Sequence, residues 1–215
     1  MMKKFKGEEF DEKIEFFDAM AQSDWFKGMQ EELCGWIGHF DGEDLLDIGC
    51  GTGRLLLRKA SRCRSASGID LSIGMVETAR SLAEEEGIKV EFLHGDAERL
   101  PFQKKSFDIA LSTCVLFLMP EPKQMIKEMN RILKPGGKAA LLNPSPALTL
   151  EKAAEAARFL PEKERPMMEQ WGRVAEKRHR FSEEIISKIL KDNGFTYVSS
   201  KRTENELGLI TIAGK

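Results

Sequence analysis

Apolar and polar positions alternate with two periods along this chain. Between residues 44 and 146, short apolar runs of strand length occur at Leu45–Ile48, Ser67–Leu71, Val90–Leu93, Phe107–Ser112 and Lys138–Leu142. Between them lie stretches with helical spacing: Arg54–Arg62, then Ile73–Glu86 closed by Gly87, then Pro122–Leu133 with Met125, Ile126, Met129, Ile132 and Leu133 on one face. Strands separated by helices in this order predict βαβ units, hence a parallel sheet with helices on both faces.

The flanks read differently. Before Asp44 the apolar residues Phe10, Ile14 and Phe17, then Trp25, Met29, Leu33, Trp36 and Ile37, recur at helical spacing and predict two amphipathic helices. After Leu142, the two prolines of Asn143-Pro144-Ser145-Pro146 predict a turn or loop, because proline cannot continue a central strand. Residues 147–180 read as one or two helices divided near Pro161 and Pro166. Ser182 is a natural N-cap, with Glu183 and Glu184 placed favourably in the first turn, and Asn193-Gly194 ends that helix. The runs Phe195–Ser200 and Leu207–Ala213 are too close for a crossover and must pair antiparallel. The organisation expected is one domain: an N-terminal helical cap over 1–43, a core over 44–146, a helical lid or substrate insert over 147–180, and a C-terminal helix with two strands over 181–215.

Composition narrows the partners. The 215 residues carry 33 basic and 35 acidic side chains, a net charge of −2. That balance lacks the basicity of a protein that grips a phosphate backbone, so no nucleic acid is expected. The average conceals an acidic segment at 1–40 and a basic run at 173–180, which reads as a solvated face or as a substrate mouth attracting a carboxylate or phosphate. Cys34, Cys50, Cys63 and Cys114 are scattered, as are His39, His94 and His179, so no metal pattern emerges. Free thiols, no apolar stretch behind the basic N-terminus, and no run long enough to span a bilayer predict a cytoplasmic chain without a membrane partner.

The chemistry gathers at Gly49-Cys50-Gly51-Thr52-Gly53, directly after the first strand and before a helix. Glycines there let a ligand approach the backbone at the positive end of the helix, which implies a nucleotide-like ligand. Asp70, at the end of the second strand, can accept hydrogen bonds from ribose hydroxyls. The dinucleotide pattern would need a third glycine at position 54, where this chain has Arg54, and no Gly-Lys-Ser/Thr follows for a phosphate loop.

Four segments together resemble the class I S-adenosylmethionine-dependent methyltransferases of the type 11, small-molecule branch, from about Leu45 to Leu142. They are Leu45 to Gly53, Gly68-Ile69-Asp70-Leu71-Ser72, His94 to Phe102 leading into Phe107-Asp108, and Leu133-Lys134-Pro135-Gly136-Gly137. The resemblance implies a Rossmann-like, doubly wound α/β sheet of seven strands. Five are parallel and an antiparallel hairpin pair follows, with helices on both faces and the N-terminal helices and the insert over the cofactor cleft. It implies S-adenosylmethionine as cofactor and S-adenosylhomocysteine as product. Asp47 would face the methionine amino group, with Gly49, Cys50, Gly51 and Gly53 around the sulfonium and carboxylate. Asp70 would bind the ribose, Leu71 pack on the adenine, and Asp96, beside Ala97, take the adenine amino group. Phe17 and Trp25 fall where relatives fold an aromatic over the cofactor, and Ser112 falls at the end of the fourth strand.

No catalytic residue is identified. His94 and His179 are the candidates by type, and many type 11 relatives carry a histidine near Phe117 or Leu118 that this chain lacks. The reading is methyl transfer to a small-molecule acceptor by in-line displacement, by a monomer or homodimer. The alternatives are a nicotinamide-dependent oxidoreductase, which the single tyrosine at Tyr197 does not favour, and a non-catalytic S-adenosylmethionine-binding partner module.

Overall fold

A computed structural model describes residues 2–215. Strands β1 (Asp44–Ile48), β2 (Ser65–Asp70), β3 (Glu91–His94), β4 (Phe107–Thr113) and β5 (Leu133–Pro144) run parallel. The last two, β6 (Tyr197–Arg202) and β7 (Gly208–Gly214), add an antiparallel pair, giving the order β3-β2-β1-β4-β5-β7-β6. This is the seven-stranded doubly wound sheet expected from the sequence. Winding proceeds outward from β1 toward β3 and then reverses to β4, so a crevice opens at the carboxyl ends of β1 and β4.

Period-two alternation divides the sheet residues between two cores. Leu45, Ile109 and Leu111 face one cluster with Leu33 of α3 (Asp24–Ile37), Leu56 of α4 (Arg54–Lys59), Val76 of α5 (Ile73–Glu85) and Trp171 of α8 (Arg165–Lys177). Leu46, Ile48 and Ala110 face the other, with Ile126 and Met129 of α6 (Pro122–Ile132) and Ile186 and Leu190 of α9 (Glu183–Asp192). Each fully buried Leu, Ile or Met contributes about 1.5–3 kcal/mol relative to leaving it exposed. Helix starts follow local chemistry: the hydroxyls of Ser72 and Ser182 accept from the backbone N–H groups of Met75 and Ile185, and Pro166 lies in the first turn of α8.

Three expectations are corrected. The N-terminal segment forms three helices, α1 (Glu8–Asp11), α2 (Ile14–Gln22) and α3, the short α1 being stopped at Glu12-Lys13. Asn143 and Pro144 continue β5, pairing with Leu209 and Gly208 of β7. Their other neighbour, β4, has already ended at Thr113 opposite Leu142, so β5 is an edge on that side and the N–H that proline lacks has no ladder to serve. At its start β5 reaches back to Leu133, and the expected glycine turn survives as a bulge: the partner of Phe107 is Leu133 while that of Ile109 is Lys138, with Gly136 at φ +79°. The insert holds α7 (Leu150–Ala157) and α8 with a 3₁₀ turn at Glu162–Glu164 between them.

Candidate active site

The crevice is organised by the turn after β1. Gly49, Gly51 and Gly53 have φ of +74°, +55° and +77°, and a Cβ on Gly49 would lie 2.2 Å from Val115 Cγ2. Glycine is required there by both conformation and space. The amides of Gly49 and Cys50 donate to Ile69 O at 2.7 and 3.1 Å, stitching the turn to β2. Asp70 accepts from Gly51 N at 2.8 Å through Oδ2 and from Ser72 N at 2.9 Å through Oδ1. Burial pushes its carboxyl up, opposed by the Ser72 and Gly51 amides. Asp47 is 1% exposed, its Oδ1 has no hydrogen-bond partner, and burial together with the charge of Asp70 raises its carboxyl to about 7.

One end of the cavity is walled by the carboxyl ends of β2 and β3: Asp70, Leu71, Gly95, Asp96 and Ala97. The N-terminal segment straps across it. Lys4 Nζ donates to Asp96 Oδ2 at 2.6 Å and also to Glu98, while the Arg178 guanidinium lies 4.0 Å from the Phe5 ring centroid and donates to Lys3 O at 2.8 Å. Lys4, Phe5, Phe10 and Phe17 all face the cavity.

The opposite wall is made by Met20, Ala21 and Phe26 from the N-terminal helices and by Val115, Leu118 and Met119 beyond β4. Its neutral polar groups are Gln30, 4% exposed, and Thr113. Gln30 Oε1 accepts from Arg58 at 2.6 Å and its Nε2 lies 3.4 Å from Thr113 Oγ1. Cys114 turns the chain over this wall with φ +59°, and burial pushes its thiol up to about 12.

Of the residues singled out from sequence, Phe17, Gly49, Cys50, Gly51, Asp70, Leu71, Asp96 and Ala97 meet at the cavity. The others are not lining residues. Asp47, the penultimate residue of β1, is buried and stands two positions before Gly49, outside the cavity lining. Gly53 starts α4, with Phe92 so close that a Cβ would lie 2.6 Å from its ring. Ser112 donates to Ile48 O at 2.8 Å, a bond between strands. Trp25 is corrected from cofactor contact to core: its ring packs on Trp171 at 5.4 Å and Phe26 at 5.5 Å, because the insert supplies an apolar partner behind α3. His94 is exposed and its Nε2 lies 3.1 Å from Leu71 O. The His179 ring stacks on Phe181 and its amide donates to Phe117 O. Neither histidine lines the cavity. Thr113, beside Ser112 at the end of the fourth strand, lines the cavity; sequence reasoning missed Lys4, Phe5 and Gln30, and the one available signal was the amphipathic pattern of the N-terminal helices. The insert contributes no lining residue and acts through Trp171 and Arg178 on the N-terminal segment.

Residues 46–141 match a family model described as a methyltransferase domain, of type 11. The chain is 37% identical over 123 residues to the demethylmenaquinone methyltransferase of Lactococcus lactis, covering 55% of this chain and 49% of that protein. It is 36% identical over 137 residues to the 27-O-demethylrifamycin SV methyltransferase of Amycolatopsis mediterranei, covering 60% and 50% respectively. The chain thus spans about half the length of these curated relatives. Its fold superposes with a TM-score of 0.71 on a crystal structure of a SAM dependent methyltransferase from Aquifex aeolicus, at 20% identity and covering 95% of this chain and 97% of that one.

Proposed function

The chain belongs, through its domain at 46–141, to the class I S-adenosylmethionine-dependent methyltransferases of type 11, and from that premise we propose that it transfers the cofactor's methyl group to a small-molecule acceptor. The observation that carries this reading is Asp47: a carboxylate 1% exposed with an unpartnered oxygen, itself outside the cavity lining but two residues before the Gly49 that lines it, fits a cationic ligand that reaches past the glycine turn. A buried carboxylate left without a partner costs several kcal/mol, and an ammonium group supplied by the cofactor's amino-acid end offsets that cost. Asp70, fixed by the amides of Gly51 and Ser72, fits a ribose diol, and Leu71 and Ala97 offer apolar surface to the adenine.

When bound, S-adenosylmethionine supplies a methyl group on a sulfonium that is its own leaving group. The chain's residues hold the two reactants together and exclude water, which supports displacement by proximity and desolvation. A small-molecule acceptor fits a cavity enclosed by Phe5, Phe10, Phe17 and Phe26, and the demethylated quinone and rifamycin named for the relatives are acceptors of that kind.

Titration calorimetry with S-adenosylhomocysteine and with NAD tests the first half. Binding of S-adenosylhomocysteine and not NAD is expected, and the reverse result refutes the reading. A labelled-methyl assay on fractionated cell extract tests the second half: label in a small-molecule fraction is expected, and label only in protein or RNA counts against it.

A further inference from the structure

The wall opposite the ribose-binding end has a one-sided polarity. Arg58 can only donate, so its 2.6 Å bond fixes the Gln30 amide with the oxygen toward Arg58 and the NH₂ toward Thr113. One lone pair of the Gln30 oxygen is therefore taken by Arg58. Thr113 Oγ1 receives from that NH₂ and keeps its own O–H to donate. The polar notch of this wall presents donors, and it is set among Met20, Phe26, Val115, Leu118 and Met119. Donors in an apolar pocket suit an anion or a bare acceptor atom, whereas an ammonium group would meet no carboxylate among the described residues of this wall.

The titratable lining residues point the same way. The carboxylates on the cavity are Asp70, held by two amides, and Asp96, held by Lys4. Both lie at the β2 and β3 end. Cys50 and Cys114 are thiols that burial keeps protonated, and among the described residues no histidine lines the cavity. Among the described residues, no lining group at this wall is placed to remove a proton from an acceptor. We infer that the acceptor is an apolar, aromatic molecule that arrives already ionised at its attacking atom, as an aryl thiolate or an acidic phenolate. The inference rests on the methyltransferase reading above.

The step balances without a base. A lone pair of the thiolate or phenolate forms the new bond to the methyl carbon, the carbon–sulfur bond of the sulfonium breaks, and its electron pair stays on sulfur. An anion and a cation become two neutral molecules, and no proton has to leave. Because charge disappears along this path, low-dielectric walls favour the transition state over the separated ions, as Phe26, Leu118 and Met119 do here. A neutral alcohol would need a base that this wall lacks.

The test uses the full chain with 4-nitrothiophenol, an anion at neutral pH, against benzyl alcohol and cyclohexylamine. Calorimetry on the chain saturated with S-adenosylhomocysteine is expected to show binding of 4-nitrothiophenol and neither of the others. In turnover with S-adenosylmethionine the rate is expected to follow the ionisation of the thiol itself, with no second limb from a group on the protein. Gln30→Met keeps the volume and removes the donors. It is expected to raise both the Kd and the KM for 4-nitrothiophenol by about tenfold to a hundredfold, the value of a hydrogen bond to a charged group, and to leave S-adenosylhomocysteine affinity within about twofold. Thr113→Val is expected to act in the same direction. Preferred turnover of the amine or alcohol, binding of none of these probes, or an equal loss of S-adenosylhomocysteine affinity in Gln30→Met overturns the inference and leaves the cofactor reading standing. Failure of S-adenosylhomocysteine to bind the unmodified chain overturns the reading beneath it.

Discussion

Asp47→Asn separates what the buried carboxylate does for the fold from what it does for a ligand. In the free protein, burial and the neighbouring charge of Asp70 raise the Asp47 carboxyl from 3.8 to about 7. A raised acid binds its proton more tightly folded than unfolded, so it destabilises the fold increasingly as pH rises. The cost is absent below about pH 4 and complete above about pH 7. Some three decades of acidity, at about 1.36 kcal/mol per decade, make the cost about 4 kcal/mol. Asparagine removes the charge and keeps the shape, though its amide also lacks partners at a cost of about 1–3 kcal/mol. The variant is therefore expected to be about 1–3 kcal/mol more stable than the unmodified chain at pH 8, and less stable than it near pH 4. For a chain of this size that is a rise in Tm of about 2–12 °C at pH 8. Urea unfolding at several pH values in the absence of cofactor reads it directly. The same variant is expected to lose S-adenosylhomocysteine affinity by about tenfold or more, because the partner of the ligand's ammonium has lost its charge. A variant less stable than the parent at pH 8, with the same slope of stability against pH, refutes the claim that Asp47 is held ionised at a cost that the ligand offsets.

Other substitutions test the frame around it. Gly49→Ala puts a Cβ 2.2 Å from Val115 Cγ2 at φ +74°, whereas Gly51→Ala meets open space at φ +55°. The first is expected to cost about 3 kcal/mol or more in urea unfolding and to abolish cofactor binding, the second about 1–2 kcal/mol; equal costs would contradict the packing argument. Asp18 accepts from Arg54 at 2.9 and 3.1 Å and from Thr52 at 2.6 Å, so Asp18→Ala is expected to cost about 1–3 kcal/mol and to speed cofactor release. Burial works against the Asp18 carboxylate, but Arg54 and Thr52 hold it below the usual range, so its stabilisation is present above about pH 4 and lost as pH falls further. Lys4→Ala releases a strap pinned by half-exposed ion pairs worth about 0.5–1 kcal/mol, and stopped-flow should show association and dissociation of S-adenosylhomocysteine both faster by roughly twofold to fivefold. High salt should reproduce that effect in the parent chain and not in the variant.

The parts of this molecule legible from its sequence are those where cause and consequence lie close along the chain. The turn at Gly49 to Gly53, the cap at Ser182 and the pairing of β6 with β7 each depend on residues a few positions apart, and each is where the pattern puts it. Pro144 was illegible because its place in β5 depends on β4 ending at Thr113, thirty-one positions earlier. The same limit hid Gln30, whose partners Arg58 and Thr113 come from α4 and the end of β4. Trp25 was misread for a related reason. Helical periodicity says which face of α3 is apolar and not whether that face meets a ligand or Trp171.

The acidity of the N-terminal segment acquires a structural reason. Two of its carboxylates dock on the two helices that begin the nucleotide-binding half of the sheet. Asp11 accepts from Gly74 N at 3.0 Å and from the hydroxyl of Ser72, at the start of α5; Asp18 accepts from Thr52 and Arg54, at the start of α4. Helix N-termini present unpaired N–H groups and partial positive charge, so a carboxylate from another segment is attracted there by about 0.3–1 kcal/mol beyond its hydrogen bonds. Those starts are the edges of the cavity: Thr52 lines it, and Asp70 and Leu71 stand immediately before Ser72. The cap is thereby registered on the elements that would grip the cofactor, which brings Phe17, Met20 and Gln30 over the cavity. Lifting the whole cap would break Asp18 from Arg54, Asp11 from Gly74 and Lys4 from Asp96, which couples cofactor exchange by that route to local unfolding of residues 3–22. Amide exchange in α2 is therefore expected to slow when S-adenosylhomocysteine binds, and protection confined to the strands would show that the cap moves independently.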